Sequence, residues 1–130
     1  MLPIVFPFVM AIGGVLGIAG VDLPAVETGI ALSAVILGSM VLAAARPPLW
    51  LAAVIVGVFA IFHGHAHGTE LPEAVSPLAY SLGFVLATGL LHLFGLGFGF
   101  LVRCPAGRAI VGLGGGLIAL GGAAFLFGFA

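Results

Sequence analysis

Charged residues are scarce in this chain of 130 residues: three are Lys or Arg and four are Asp or Glu, together 5% of the sequence. Soluble domains carry about 25% charged residues, because a surface that faces water needs polar cover. Hydrophobic residues make up 63%, and lipid is the solvent that tolerates such a surface. The shortage of charge therefore excludes a soluble domain and makes the lipid bilayer the expected partner. The net charge of −1 excludes a nucleic-acid partner on electrostatic grounds.

Short runs that alternate between apolar and polar residues, typical of transmembrane barrels, are also missing. In a bilayer every backbone N–H and C=O must be paired within the chain, which leaves helices or a closed barrel. The chain contains long unbroken apolar runs instead, and these indicate helices. The sequence predicts an all-α fold, a polytopic membrane helix bundle that forms a single domain over residues 1–130. Its one cysteine, Cys104, cannot form an internal disulfide.

Five apolar segments can be separated at the charged residues and prolines. Each has about 18–25 residues, enough to cross a hydrocarbon core of about 30 Å at about 1.5 Å per residue. The sequence therefore predicts about five transmembrane helices, over residues of about 4–21, 26–45, 49–67, 78–102 and 110–129.

Glycine is abundant, with 22 copies, although it weakens helices in soluble proteins. In membranes, two small residues spaced four apart allow neighbouring helices to approach closely. Examples of such pairs are Gly13/Gly17, Gly95/Gly99 and Gly112/Gly116. We expect these glycines to be packing residues.

The few charges change sign from one predicted loop to the next. The arginines, Arg46, Arg103 and Arg108, lie at the second and fourth loops, and the acids, Asp22, Glu27, Glu70 and Glu73, lie at the first and third. The positive-inside rule places the arginine side in the cytoplasm. We therefore expect a bacterial inner-membrane protein with a cytoplasmic N-terminus and a periplasmic C-terminus. The first apolar run has no positively charged start and no small-residue cleavage site, so a removable signal peptide is not expected.

Three of the four histidines lie at the outer end of the third predicted helix, in Phe62-His63-Gly64-His65-Ala66-His67-Gly68-Thr69-Glu70. In a continuous helix, His63, His67 and Glu70 share one face. His65 points elsewhere unless the neighbouring glycines let the helix unwind. Neutral imidazoles with a carboxylate suit nickel, cobalt, zinc or copper(II). A polar turn whose histidines face water is the competing interpretation, and we favour a metal site with His65 as an auxiliary ligand.

Two further residues are candidates to extend this site. Glu27 lies near the start of the second helix on the same side, and ionisable groups at membrane depth usually line a polar path; shallow exposure at the interface fits it equally well. His92 lies about 14 residues into the fourth helix, roughly 20 Å below its outer end. A hydrogen bond to a neighbouring helix is the commoner role for an isolated buried histidine, so His92 is the weaker candidate.

The segment that begins at His63 resembles the HupE/UreJ family of hydrogenase and urease accessory membrane proteins. The family pattern Phe-His-Gly-x-Ala-His-Gly-x-Glu is matched at Phe62, His63, Gly64, Ala66, His67, Gly68 and Glu70, and residues 29–33, 78–84 and 91–93 are also similar to the family. The resemblance implies secondary transport of nickel, or of cobalt in some members, to supply metalloenzymes. It implies no permanently bound cofactor, because Ni²⁺ or Co²⁺ is the cargo. Family members usually carry a signal sequence and a helix with a His-Pro…Asp-His motif upstream of the segment where this sequence begins.

The sequence supports three functional hypotheses, none of them enzymatic. In the first, a permease captures the divalent metal ion at His63, His67 and Glu70 and passes it inward by way of Glu27 and His92. In the second, a non-transporting subunit packs against copies of itself or against other membrane subunits. The third is a haem cytochrome with two histidine ligands, which the different predicted depths of His63 and His92 argue against. The glycine-rich stretch at 112–116 lacks the strand and the lysine of a phosphate-binding loop, so the sequence predicts no nucleotide site. Transport would then have to be driven by an ion gradient or by a metal sink inside the cell.

Overall fold

The computed structural model describes residues 2–70 and 76–129 of the chain. Over these residues it contains five α-helices and no strand. The helices are α1 (Leu2–Ile18), α2 (Val26–Leu42), α3 (Leu49–Thr69), α4 (Pro77–Gly99) and α5 (Pro105–Leu126), with a 3-10 helix at Phe100–Arg103 between the last two. The predicted all-α fold with five helices is confirmed.

The end of α1 is set by a glycine that takes up a left-handed conformation. Gly20 has a φ of +71°, and the N–H groups of Gly20 and Val21 donate to the carbonyls of Gly17 and Leu16. This Schellman arrangement satisfies carbonyls that the last helical turn leaves without a partner. The helix therefore ends at Ile18, earlier than the apolar run alone predicts.

The same arrangement ends α2 at Leu42, with an alanine in place of the glycine. Ala44 has a φ of +48°, and the N–H groups of Ala44 and Ala45 donate to the carbonyls of Val41 and Met40. Backbone hydrogen bonding therefore ends this helix before the first charged residue that follows it.

The start of α5 lies earlier than predicted, at Pro105. Proline suits the first helical position because its missing N–H has no partner there. The sulfur of Cys104 accepts a hydrogen bond of 3.4 Å from the Gly107 N–H and caps the helix. The arginines of this loop therefore lie on either side of a helix start: Arg103 ends the 3-10 helix and Arg108 falls in the first turn of α5.

Length and composition identify the chain as a membrane protein. In the described part of the chain, three helical segments are long and apolar enough to cross a bilayer: Leu49–Thr69, Leu78–Arg103 and Pro105–Leu126, with mean hydropathies of 1.9, 2.0 and 2.0. Both α1 and α2 have 17 residues, the lower limit of the range of about 17–25 that spans a bilayer. Large apolar side chains such as Trp50 and Leu91 are about 70% exposed, as expected where the outer surface meets lipid.

Contacts within the chain divide it into two compact units, Met1–Glu27 with Pro48–Leu93, and Thr28–Pro47 with Phe94–Ala130. The first unit consists mainly of α1, α3 and the greater part of α4. The second consists mainly of α2, α5 and the 3-10 helix. The single domain predicted from the sequence stays a prediction.

In the first unit, α1 and α3 pack backbone against backbone through four glycines. These are Gly13 and Gly17 of α1 and Gly64 and Gly68 of α3. A methyl group on Gly64 would overlap the carbonyl oxygen of Met10, and one on Gly17 would lie 2.5 Å from the carbonyl oxygen of His65. The pair Gly13/Gly17 therefore packs as the sequence predicts, against the helix that carries the histidine motif.

In the second unit, α2 and α5 also approach closely through glycine. A methyl group on Gly38 would lie 2.6 Å from the carbonyl oxygen of Gly115, and one on Gly122 would lie 2.7 Å from that of Ala31. The other predicted pairs behave differently. Gly112 and Gly116 reach only ordinary van der Waals distances from Leu42, and within the described residues no heavy atom lies within 4 Å of a Cβ built on Gly95 or Gly99.

Candidate metal site

The helix α3 continues through the whole histidine motif to Thr69. Gly64 and Gly68 serve the contact with α1, and they do not unwind the helix. His63 and His67 are therefore one helical turn apart on one face. Glu70 follows as the C-terminal cap residue and is exposed.

The hydrogen bonds of two histidines identify the ring nitrogen that is left to bind a metal. Nδ1 of His63 lies 3.0 Å from the carbonyl oxygen of Phe59, and Nδ1 of His92 lies 2.8 Å from that of Thr88. A carbonyl oxygen can only accept, so each Nδ1 carries the proton and donates it. In the neutral ring Nε2 then holds the lone pair, and this is the state in which imidazole binds transition metals.

One phenyl ring contacts both of these imidazoles. The ring centroid of Phe6 on α1 lies 6.3 Å from that of His63 and 5.1 Å from that of His92. Counting residues along the helices placed the two histidines at different depths in the bundle. Both rings lie within reach of this single side chain, and the difference in depth stays a prediction.

His65 is held apart from the other two histidines of the motif. Its Nε2 donates a hydrogen bond of 2.6 Å to the carbonyl oxygen of Val21, just beyond the end of α1. The side chain is 5% exposed, and within the described residues its Nδ1 is buried without a hydrogen-bond partner. The contact therefore gives His65 a structural partner just beyond the end of α1, whereas its predicted role as an auxiliary ligand stays a prediction.

His67 faces the first turns of α4. Its ring centroid lies 4.6 Å from that of Phe84, and its Nδ1 lies 3.5 Å from the hydroxyl oxygen of Tyr80. A cavity of about 160 Å³ opens beside it, lined by residues of α1, α3 and α4. The polar side chains in this lining are those of His67, Tyr80 and Ser81.

Glu27 is the remaining candidate ligand, and Glu73 is a further acid of the predicted outer side. Glu27 is exposed in the first turn of α2, and Glu73 falls among residues 71–75, outside the described part of the chain. Over residues 2–70 and 76–129, no group of three or more His, Cys, Asp or Glu side chains is close enough together to hold a metal ion. The ligand set of His63, His67, Glu70, His65, Glu27 and His92 therefore stays a prediction.

Sequence reasoning did not single out Phe6, Tyr80 or Ser81 as parts of the site. The positions of Tyr80 and Ser81 could have been predicted from the sequence. A short connection between α3 and α4 brings the first turns of α4, which carry these two residues, beside the last turns of α3. No comparable signal existed for Phe6, whose contacts depend on how three helices pack.

Comparisons with known proteins cover nearly the whole chain. A family model described as HupE / UreJ protein matches residues 1–125. Protein HupE of Rhizobium leguminosarum bv. viciae is 46% identical over 127 residues, which are 98% of this chain and 66% of that relative. The chain thus spans just under two thirds of the length of that curated relative. No solved structure matches it.

Proposed function

The chain belongs to the HupE/UreJ family, and on this premise we propose that it acts as a permease for nickel or cobalt ions in the bacterial inner membrane. The ion is the cargo, and the chain needs no permanently bound cofactor. In this proposal the histidine motif captures the ion on the periplasmic side and the arginine-bearing loops face the cytoplasm.

The hydrogen bonds from His63 and His92 to backbone carbonyls are the observation that carries the proposal. In both residues the Nδ1–H group donates to a backbone carbonyl of the same helix, which leaves Nε2 as the donor for a metal. Histidines inside membrane helices are uncommon and usually mark a path for ions or protons. Imidazole nitrogen favours borderline ions such as Ni²⁺ and Co²⁺ over Mg²⁺ and Ca²⁺, which prefer oxygen.

The proposed path uses single imidazoles in succession. His67 and Glu70 near the end of α3 receive the ion, His63 takes it one turn deeper, and His92 takes it beyond Phe6. Conduction needs sites that bind strongly enough to admit an ion and weakly enough to release it. One or two imidazoles at each step meet this need better than a closed cage of four ligands. Glu27 is a candidate for a further step of the same path.

A non-transporting subunit of a larger membrane complex is the second candidate, and one observation favours it. Only 6% of an 18-residue window of the segment Leu78–Arg103 is buried among the described residues. Its glycines Gly95 and Gly99 have no neighbouring atom there within 4 Å of a built Cβ. Small residues on an uncovered membrane helix are suited to close contact with another helix, from a second copy or from a different subunit.

Ion uptake by the purified protein in liposomes tests the proposal. The initial rate of Ni²⁺ and Co²⁺ entry is followed with a chelating dye trapped inside, for the wild type and for His63→Ala and His67→Ala. Thr69→Ala is a matched control, because the Thr69 hydroxyl bonds only to backbone carbonyls of its own helix. We expect at least a tenfold loss of rate in both histidine variants and little change in the control. Absence of flux in the wild type, or a His67→Ala rate equal to that of the wild type, would instead favour the non-transporting subunit.

A further inference from the structure

The cavity beside His67 combines one imidazole with two hydroxyl groups in an otherwise apolar wall. It lies between α1, α3 and the first turns of α4, and its volume is about 160 Å³. Its polar side chains come from His67, Tyr80 and Ser81, all three half-buried. Water takes up about 30 Å³ per molecule in the liquid, so this space is far larger than a bare metal ion and has room for several water molecules.

We propose that this cavity is a binding station for a partly hydrated divalent transition metal ion. The imidazole of His67 coordinates the ion, and the hydroxyl oxygens of Tyr80 and Ser81 accept hydrogen bonds from its water ligands. This inference rests on the transport function proposed above, and it adds two residues and a mode of binding to it.

The contacts of His67 suit this role. The Phe84 ring, tilted by 56° to the imidazole at a centroid distance of 4.6 Å, limits how the imidazole can turn. The distance of 3.5 Å between Nδ1 and the Tyr80 hydroxyl is at the long limit for a hydrogen bond, so this bond is weak. A water ligand of the ion can therefore replace it at little cost.

The charge of the cavity suits a station that must release its ion. Among the described residues the lining contains no Asp or Glu, so the ion meets one neutral nitrogen donor and neutral hydroxyls there. Retained water ligands reduce the cost of dehydrating a doubly charged ion, which is large in an apolar environment. Because the single direct ligand is an imidazole, the station still favours Ni²⁺, Co²⁺ and Zn²⁺ over Mg²⁺.

Tyr80→Phe, Ser81→Ala and Ser81→Thr test the two hydroxyls. Tyr80→Phe keeps the ring and removes one acceptor, Ser81→Ala removes the other, and Ser81→Thr restores it. Ser76→Ala is the matched control, since Ser76 is exposed just before α4 and does not line the cavity. Two quantities are measured for each protein: the KM and kcat of Ni²⁺ uptake in liposomes, and the Kd for Co²⁺ in detergent from its visible absorption bands.

We expect Tyr80→Phe and Ser81→Ala each to raise the KM for Ni²⁺ and the Kd for Co²⁺ about three- to tenfold, the effect of one hydrogen bond. The kcat should stay within about twofold of the wild-type value, since the passage of the ion past the other histidines is unchanged. Ser81→Thr should return both constants close to wild type, and Ser76→Ala should leave them unchanged. A KM effect reversed by a hydroxyl is not expected of a residue that only supports the fold.

Each other outcome has a distinct meaning. Wild-type constants in both hydroxyl variants, with uptake still lost in His67→Ala, would overturn the station and leave the permease intact. Co²⁺ binding that weakens in Tyr80→Phe, in a protein without uptake, would support the station and refute the permease. Absence of Co²⁺ binding to the wild type would overturn the station. If Tyr80→Phe does not fold, the comparison of Ser81→Ala with Ser81→Thr decides the question by itself.

Discussion

Nε2 of His65 lies 2.6 Å from the carbonyl oxygen of Val21, and this hydrogen bond joins two residues 44 positions apart in the sequence. Val21 directly follows the glycine turn that ends α1, so its carbonyl has no partner within the helix. His65 therefore satisfies a backbone group just beyond the end of α1 from the centre of the histidine motif.

Replacement of His65 by Phe should destabilise the first unit. The change leaves the Val21 carbonyl without its donor, and a hydrogen bond of this kind contributes about 0.5–1.5 kcal/mol. Thermal unfolding of the detergent-solubilised protein measures the effect. His67→Phe is the control, because among the described residues the one hydrogen bond of the His67 ring is the long contact with Tyr80, and a phenyl ring can keep the packing on Phe84. A His65→Phe protein as stable as His67→Phe would show that the bond to Val21 contributes nothing.

Gly64→Ala should weaken the packing of α1 on α3, whereas Gly57→Ala on the same helix should not. A Cβ on Gly64 would overlap the Met10 carbonyl oxygen, whereas one on Gly57 would meet no described heavy atom within 4 Å apart from the adjoining backbone of its own helix. Forced overlap typically costs about 1–3 kcal/mol, while an unopposed Gly→Ala change in a helix gains up to about 1 kcal/mol. The two variants should therefore shift the melting temperature in opposite directions. A shift of equal sign and size would contradict the close contact.

Gly38→Ala provides the corresponding test in the second unit. The added methyl group would lie 2.6 Å from the carbonyl oxygen of Gly115, so α2 and α5 must separate to admit it. Gly114→Ala is the control, because its methyl group meets no described atom within 4 Å. We expect a loss of about 1–3 kcal/mol for Gly38→Ala alone, measured by unfolding in detergent. Equal stability of the two variants would argue against this helix contact.

Phe6→Leu should reduce ion uptake more than Phe8→Leu does. The ring of Phe6 contacts the imidazoles of both His63 and His92, whereas that of Phe8, on the same helix, is 69% exposed. Contacts between aromatic rings contribute about 0.5–1.5 kcal/mol each, so the loss of two should reduce kcat/KM several-fold. Initial uptake rates in liposomes measure this. Equal rates for the two variants would show that Phe6 does not position the histidines.

The single cysteine is a natural label site with which the orientation of the protein in the membrane can be measured. Cys104 is exposed between the 3-10 helix and α5, next to Arg103. With the arginine side in the cytoplasm, a membrane-impermeant maleimide should label it only after the inner membrane is opened. Cys104→Ser gives the background, and Glu70→Cys in that background should label in cells whose outer membrane alone is permeable. Labelling of Cys104 under that second condition would reverse the proposed topology.

Several features of the site were predictable because they depend only on local chain geometry. The spacing of His63 and His67 places them on one face of any helix that contains both. The match to the family pattern likewise needs only the order of residues, and the comparisons confirm it. The contacts of His65, His67 and His92 with Val21, Tyr80 and Phe6 were not predictable, because each joins residues far apart in the sequence.

The sequence by itself determined that the chain is helical and belongs in a membrane, since a run of apolar residues has no other way to satisfy its backbone in lipid. The positions of the helix ends needed backbone detail, in the left-handed turns at Gly20 and Ala44. Only the tertiary structure decided which glycines make contacts. Gly13 and Gly17 pack against the backbone of α3, whereas a Cβ built on Gly95 or Gly99 has no described atom within 4 Å apart from the adjoining backbone of its own helix. Both pairs have the same spacing. This spacing predicts that another helix can approach closely, but it does not identify that helix. The same holds for the histidines, because a helix defines the direction of a side chain and its neighbours in space define what that side chain can bind.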